Sequence, residues 1–202
     1  MITVGIDEVG RGCWAGPLVA GAVILKRPIP GLADSKVLSK QQRTHLAEQI
    51  KTEALAYGLG WVAPAFIDMY GLTLSVQRAM QQALAGLNVP FEAIIIDGNY
   101  NYLPNEPTAS YLVKADATVA AVSAASIIAK VARDEFMTLA ARGFPGYGFE
   151  QHVGYGTVLH RARLETLGVC DLHRKSYKPI RALLELEAVK AQLKQRENHV
   201  HD

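Results

Sequence analysis

Apolar positions along the chain fall into short blocks, and the spacing inside each block assigns its element. Residues 2–6 form an apolar run that breaks at Asp7-Glu8. Residues 18–25 form a second run, with Gly10, Gly12, Gly16 and Pro17 between the two. These runs predict two strands joined by a glycine-rich loop. After the break at Pro28-Ile29-Pro30-Gly31, Ser39 with Gln42 three residues on is a capping-box signature. It opens a helix that runs to about Leu55. Residues 57–62 predict a third strand. Pro64 starts a short helix that stops near Gly71, and Leu74, Met80, Ala83, Leu84 and Leu87 stripe the next one.

The second half alternates. Residues 92–97 are a nearly continuous apolar run, the pattern of a buried parallel strand, ending on Asp97 before Gly98. Residues 110–114 predict another strand, followed by Asp116. Residues 117–142 predict a long helix whose many alanines let it press closely onto a sheet. Residues 143–156 read as a glycine- and aromatic-rich loop, and 157–167 and 179–195 as two further helices. With no repeat or long linker, the pattern predicts an α/β domain with a mixed β-sheet flanked by helices. A core over 1–145 and a helical C-terminal extension over 146–202, packed on it as one unit, are expected.

Composition narrows the class. The 202 residues are 50% hydrophobic and 20% charged, a globular balance that excludes a disordered chain. Twenty-one Lys+Arg against 19 Asp+Glu leave +2, too mild to announce a nucleic-acid partner. Cys13 and Cys170 make neither a disulfide framework nor a CxxC site, and read as free thiols in a reducing compartment. No signal peptide is visible after Met1, and the apolar windows 18–25 and 117–129 fall short of the ~20 residues of a membrane span. A soluble, cytoplasmic protein is expected. P-loop, GxGxxG, HExxH and GxSxG motifs are absent, which removes the common nucleotide-hydrolase, dehydrogenase, zinc-protease and α/β-hydrolase readings.

Four acids carry the candidate chemistry. Asp7, Glu8, Asp97 and Asp116 each lie at or just past the C-terminal end of an apolar strand, where sites of open α/β sheets form. Neighbouring strands would make them converge. Carboxylates about 4 Å apart repel by roughly 4 kcal/mol at an effective dielectric of 20, so they hold protons or cations. An all-oxygen set selects hard ions, Mg²⁺ or Mn²⁺, and two of these suit in-line phosphodiester chemistry. Solvated turn acids or a glycosidase-type carboxylate pair use the same residues.

Further signals surround these acids. Gly10-Arg11-Gly12 can turn its amides toward a phosphate or sugar hydroxyl, or be a plain tight turn. Ser35 and Lys36, before the capped helix, could meet a phosphate. Residues 160–181 hold six Lys/Arg against two Asp/Glu, which suits either a phosphate-backbone face or a solvated helix. Tyr155, between Gly154 and Gly156, is placed to stack or donate rather than to fill a core.

Taken together, these strings resemble ribonuclease HII, the type 2 ribonuclease H family. The matching blocks are Gly5-Ile6-Asp7-Glu8-Val9-Gly10-Arg11-Gly12, Gly16-Pro17-Leu18-Val19, Asp34-Ser35-Lys36-Val37-Leu38 and Ile96-Asp97-Gly98-Asn99. They continue with Lys114-Ala115-Asp116, the stretch 122–134, Tyr147-Gly148-Phe149, residues 152–157 and His173-Arg174-Lys175-Ser176-Tyr177. They lie in family order and span the chain from about Thr3 to Leu184.

The resemblance implies a ribonuclease H-like fold and metal-dependent endonucleolytic cleavage of RNA in RNA·DNA hybrids. It further implies incision 5′ of single ribonucleotides embedded in duplex DNA, leaving 3′-hydroxyl and 5′-phosphate ends, in ribonucleotide excision repair and primer removal. Asp7, Glu8, Asp97 and Asp116 match the family's catalytic and metal-binding acids, which take two ions, Mg²⁺ or Mn²⁺. Gly10, Arg11, Gly12 and Tyr155 match its readers of the ribose 2′-hydroxyl, the group that tells RNA from DNA. Ser35, Lys36, Arg174 and Ser176 fall in motifs expected to touch the substrate backbone. Asp134 reads as structural. Val153 stands where the family usually has lysine, so one phosphate contact is expected to be missing. A monomer is expected, and no sliding-clamp motif is visible in residues 192–202. The same fold could instead serve a resolvase- or transposase-like DNA nuclease, against which the Gly10–Gly12 loop and Tyr155 argue.

Overall fold

A computed structural model describes residues 1–32 and 38–199. Five strands form one mixed sheet: β1 (Thr3–Val9), β2 (Leu18–Leu25), β3 (Ala54–Val62), β4 (Ala93–Asp97) and β5 (Ala109–Leu112). Their order across the sheet is β3-β2-β1-β4-β5. β1 pairs antiparallel with β2 and parallel with β4, and β4 is parallel to β5. The three strands that precede the candidate acids therefore all end on one edge.

Side chains of a strand alternate between faces. Val4 and Ile6 of β1, Ile94 and Ile96 of β4 and alternate residues of β2 bury against α2 (Pro64–Ala85). The opposite face packs on α4 (Ala120–Ala140) and α1 (Lys40–Glu53), with Val23 of β2 in that core. Small residues let both helices come close. A Cβ at Gly5 would strike the backbone of α4 at Ala121 and Val122, and one at Gly60 would strike the backbone of α2 at Ala79. The alanine-rich helix thus does what its composition predicts.

Local signals are realised with small shifts. Ser39 and Gln42 close a complete capping box at α1, with Ser39 N–H donating to Gln42 Oε1 at 2.9 Å. The two helices expected on either side of Gly71 run as one element, interrupted where Gly71 takes φ 77°. The long helix expected over 117–142 is instead a single turn, α3 (Ala115–Thr118), and then α4, because Val119 is extended between them. Inside the expected 143–156 loop sits another single turn, α5 (Phe149–His152). α6 (Val158–Leu167) and α7 (Lys178–His199) follow. A third core, Ala15, Met137, Tyr147 and Phe149, joins the glycine loop, the end of α4 and the segment after it. Cys13 and Cys170 are free thiols. Among the described residues, no helix is long and apolar enough to cross a membrane.

Candidate active site

Parallel pairing aligns Ile6 with Ile96, so the next residues, Asp7 and Asp97, leave adjacent strand ends. Since Ile6 and Ile96 point into the α2-side core, alternation puts both acids on the α4 side and Glu8 on the other. Asp116 enters from α3, where it is buried. The link is direct: Ala115 N–H donates to Asp97 Oδ1 at 2.7 Å, tying the start of α3 to the end of β4. Lys114, just before, holds a left-handed φ of 60°, local strain of the kind that gathers at functional sites. Asp7, Glu8 and Asp97 thus leave the same sheet edge, and Asp116 sits on the short helix tied to that edge through Ala115.

Asp7 and Glu8 are buried carboxyls short of counter-charge. Burial, reinforced by Glu8 and Asp97, pushes the Asp7 carboxyl up to about 8. Burial likewise pushes Glu8 up, against the pull of Arg11, whose Nη1 sits 3.0 Å from Glu8 Oε1. Glu8 Oε2 is buried without a hydrogen-bond partner. A desolvated all-oxygen cluster with an orphaned carboxylate oxygen fits a hard divalent cation. Among the described residues, no three His, Cys, Asp or Glu side chains are grouped closely enough to hold a metal ion as they stand.

Next to the acids, residues 10–17 are held from two sides by fully buried arginines. Arg133 of α4 donates from Nε to Pro17 O at 2.9 Å, from Nη2 to Ala15 O at 3.0 Å and from Nη1 to Val153 O at 2.8 Å. Arg174 donates to Gly16 O from Nε and Nη2, and from Nη1 to Arg11 O and the Tyr177 hydroxyl. Backbone bonds complete the clamp: Trp14 N–H to Gly154 O at 2.8 Å and Arg174 N–H to Trp14 O at 2.8 Å. Gly10 has φ 91°, and a Cβ there would strike Arg133. Gly12 differs, because a Cβ there would meet nothing within 4 Å.

One expectation is corrected. Arg174 offers no contact to a substrate backbone, because its guanidinium is buried and engaged by protein oxygens. Ser176 is exposed, and its hydroxyl donates to Asp68 Oδ1 at 2.6 Å. Ser35 and Lys36 lie outside the described residues. Asp134 pairs with Lys130 at 2.9 Å along α4. Tyr155 is 39% exposed at the mouth of the loop, over Lys130 and Arg133 at 5.5 and 5.9 Å from its ring centroid. Arg11 is half-exposed and lies 5.7 Å from the Tyr102 ring centroid.

Arg133 was not singled out by sequence reasoning, nor were His152, His160 and His173. All three histidines are buried beneath Tyr155. The rings of His152 and His160 stack at 4.2 Å, and His160 Nε2 lies 3.0 Å from His173 Nε2. Burial pushes His160 and His173 down to about 4, so both are neutral near pH 7. Only their spacing in a glycine- and aromatic-rich stretch could have drawn notice.

The ribonuclease HII family model matches residues 4–180, nearly the whole of this architecture. The chain belongs to the ribonuclease HII family. A ribonuclease HII of Maricaulis maris is 48% identical over 184 residues, covering 90% of this chain and 84% of the relative. One from Halorhodospira halophila is 44% identical over 185 residues, covering 90% and 94%. Among solved structures, ribonuclease H2 from Pyrococcus horikoshii superposes with a TM-score of 0.79 at 27% identity, covering 92% of this chain and 98% of that one. As a ribonuclease HII family member with the ribonuclease H fold, the chain is an endoribonuclease acting on RNA in RNA·DNA hybrids.

Proposed function

We propose that this enzyme also incises duplex DNA on the 5′ side of a single embedded ribonucleotide, leaving 3′-hydroxyl and 5′-phosphate ends. Its role is ribonucleotide excision repair and removal of primer remnants. The observation that carries this reading is one juxtaposition: the guanidinium of Arg133 lies against both Gly10 and the ring of Tyr155, directly beyond Asp7 and Glu8. A loop with an open backbone at Gly12 and an exposed tyrosine therefore sits beside the acid edge. This supports a sugar reader: the backbone near Gly12 is bare, and the Tyr155 ring is part-exposed with its hydroxyl against the Cys13 thiol.

Asp7, Glu8, Asp97 and Asp116 would hold the metal. Two divalent ions bound there, Mg²⁺ or Mn²⁺, supply Lewis-acid stabilisation of the entering and leaving oxygens. The chain's own part is positioning. Ala115 N–H fixes Asp97, Arg11 fixes one oxygen of Glu8, and the unpartnered Glu8 Oε2 and the desolvated Asp7 carboxyl are left to face a cation. The scheme needs no side-chain nucleophile. A monomer in the cytoplasm suffices for this chemistry.

The test uses a labelled duplex with one ribonucleotide beside an all-DNA control, each with Mg²⁺ and with chelator. A single Mg²⁺-dependent cut 5′ of the ribonucleotide is expected, with the control intact. Equal cutting of both duplexes would discard the sugar reader and favour the DNA-nuclease alternative. No cutting under any divalent ion would discard the metal site.

A further inference from the structure

Beneath Tyr155 the hydrogen-bond partners fix the state of two histidines. His160 Nδ1 lies 2.9 Å from Tyr155 O, a carbonyl that can only accept, so Nδ1 carries the proton. His160 Nε2 is then an acceptor, and at 3.0 Å it must receive the proton of His173 Nε2. That leaves His173 Nδ1 as an acceptor, and Cys170 N–H donates to it at 2.9 Å. The chain runs one way, from the Cys170 amide through both rings to the Tyr155 carbonyl, and every donor and acceptor in it is used. His152 closes the floor: its Nε2 lies 2.9 Å from Tyr147 O, and its Nδ1 accepts from Gly154 N–H at 3.2 Å.

This floor supports the residue that the substrate would meet. Tyr155 N–H is bound to His152 O at 2.9 Å, and Tyr155 O also accepts from Thr157 N–H at 2.8 Å. The backbone of Tyr155 is thus pinned on both sides by groups that rest on histidines. Its neighbours have little grip of their own: Gly154 is at φ 87°, and Gly156 is kept from carrying a side chain by the Trp14 ring. Buried, fully satisfied networks of this kind fix one geometry.

We propose that His160 and His173 are positioning residues for ribonucleotide recognition, their hydrogen-bond chain holding the Tyr155 backbone in the place from which its ring reaches the substrate sugar. The inference rests on the reading of Tyr155 as a sugar contact. It assigns the histidines no part in bond cleavage.

The test compares kcat/KM on a single-ribonucleotide duplex for His160→Leu and His160→Gln. Leu removes the link. Gln can keep it, because its amide offers an N–H toward Tyr155 O and an oxygen toward His173 Nε2, with one N–H more than the neutral imidazole. Leu is expected to lower kcat/KM roughly tenfold, and Gln to restore most of it. In a Tyr155→Ala background the difference between Leu and Gln should vanish, since the ring being positioned is gone. Equal values for Leu and Gln, or a Leu penalty that persists in Tyr155→Ala, would overturn the proposal. If Tyr155→Ala cleaves like the parent enzyme, it is the sugar-contact reading that fails. Imidazole ¹⁵N shifts of the unaltered protein give a check that no substitution can spoil: neutral rings at pH 7, protonated at His160 Nδ1 and His173 Nε2. Any other tautomer there overturns the chain.

Discussion

Arg174 grips Gly16 with two hydrogen bonds to one carbonyl, from Nε at 3.0 Å and from Nη2 at 2.9 Å. The fork spans 158 residues of sequence and is wholly buried. Lysine has one point of donation and cannot reproduce a fork. Arg174→Lys should leave the carbonyls of Gly16 and Arg11 short of donors and cost about 2–4 kcal/mol of stability by urea denaturation. Cleavage should fall with it, because the same guanidinium shapes the loop beside Glu8.

The two glycines of the loop should separate under substitution. At Gly10, φ 91° and the nearby Arg133 side chain oppose any Cβ, so Gly10→Ala should destabilise the fold by more than about 1 kcal/mol. Gly12 has room and carries no such φ. Gly12→Ala should melt like the parent and yet raise KM, because only a substrate pressed on that backbone would meet the new methyl.

Asp7→Asn should separate stability from catalysis in the opposite direction. The carboxyl of Asp7 is raised to about 8 by burial and its acidic neighbours, so its charge is unwelcome in the metal-free protein. The amide should hold or raise the melting temperature of that form while cleavage falls by at least about 10³-fold. Retained activity would remove Asp7 from the catalytic set.

Stability of the metal-free protein should show a maximum in pH. Asp7 binds a proton more tightly folded than unfolded, so its contribution is full below about 4 and is lost as pH rises toward 8. His160 and His173 bind theirs less tightly folded, so their contribution is full above about 6.5 and is lost as pH falls through 4. Two histidines outweigh one aspartate on the acid side. Thermal melts in chelator should therefore peak near pH 6.5, and saturating Mg²⁺ should flatten the alkaline limb by holding Asp7 ionised.

Val153 sits at φ 44°, a left-handed backbone that a β-branched side chain resists. Lysine tolerates that backbone better than valine and would add a cation two residues before Tyr155. Val153→Lys should lower KM for duplex substrates several-fold at low salt, with the gain shrinking as salt rises.

The acid edge was legible because one-dimensional rules reach it. An apolar run that stops on Asp97 marks both a strand and its end, and Ser39 with Gln42 marks a helix start three residues wide. The break at Val119 was missed because alanine-rich sequence on both sides favours helix, and the turn that ties Ala115 N–H to Asp97 is a long-range contact the sequence does not show. Arg174 was misread for a related reason. In sequence, a basic residue among basic residues suggests a phosphate, and nothing local shows that the carbonyls of Gly16 and Arg11 will fold onto it. The histidine floor is invisible for the same cause, since its logic lies in which atom donates.

The clamp also orders events during synthesis. Asp7, Glu8, Asp97 and Asp116 are all translated before residue 117, ahead of α4, which covers the Asp7 side of the sheet. The loop they adjoin cannot take its final shape until Arg133, then Val153 and Gly154, and lastly Arg174 and Tyr177 have emerged. The loop beside the acids is thus the last part of this edge to be fixed, held by residues from the final third of the chain.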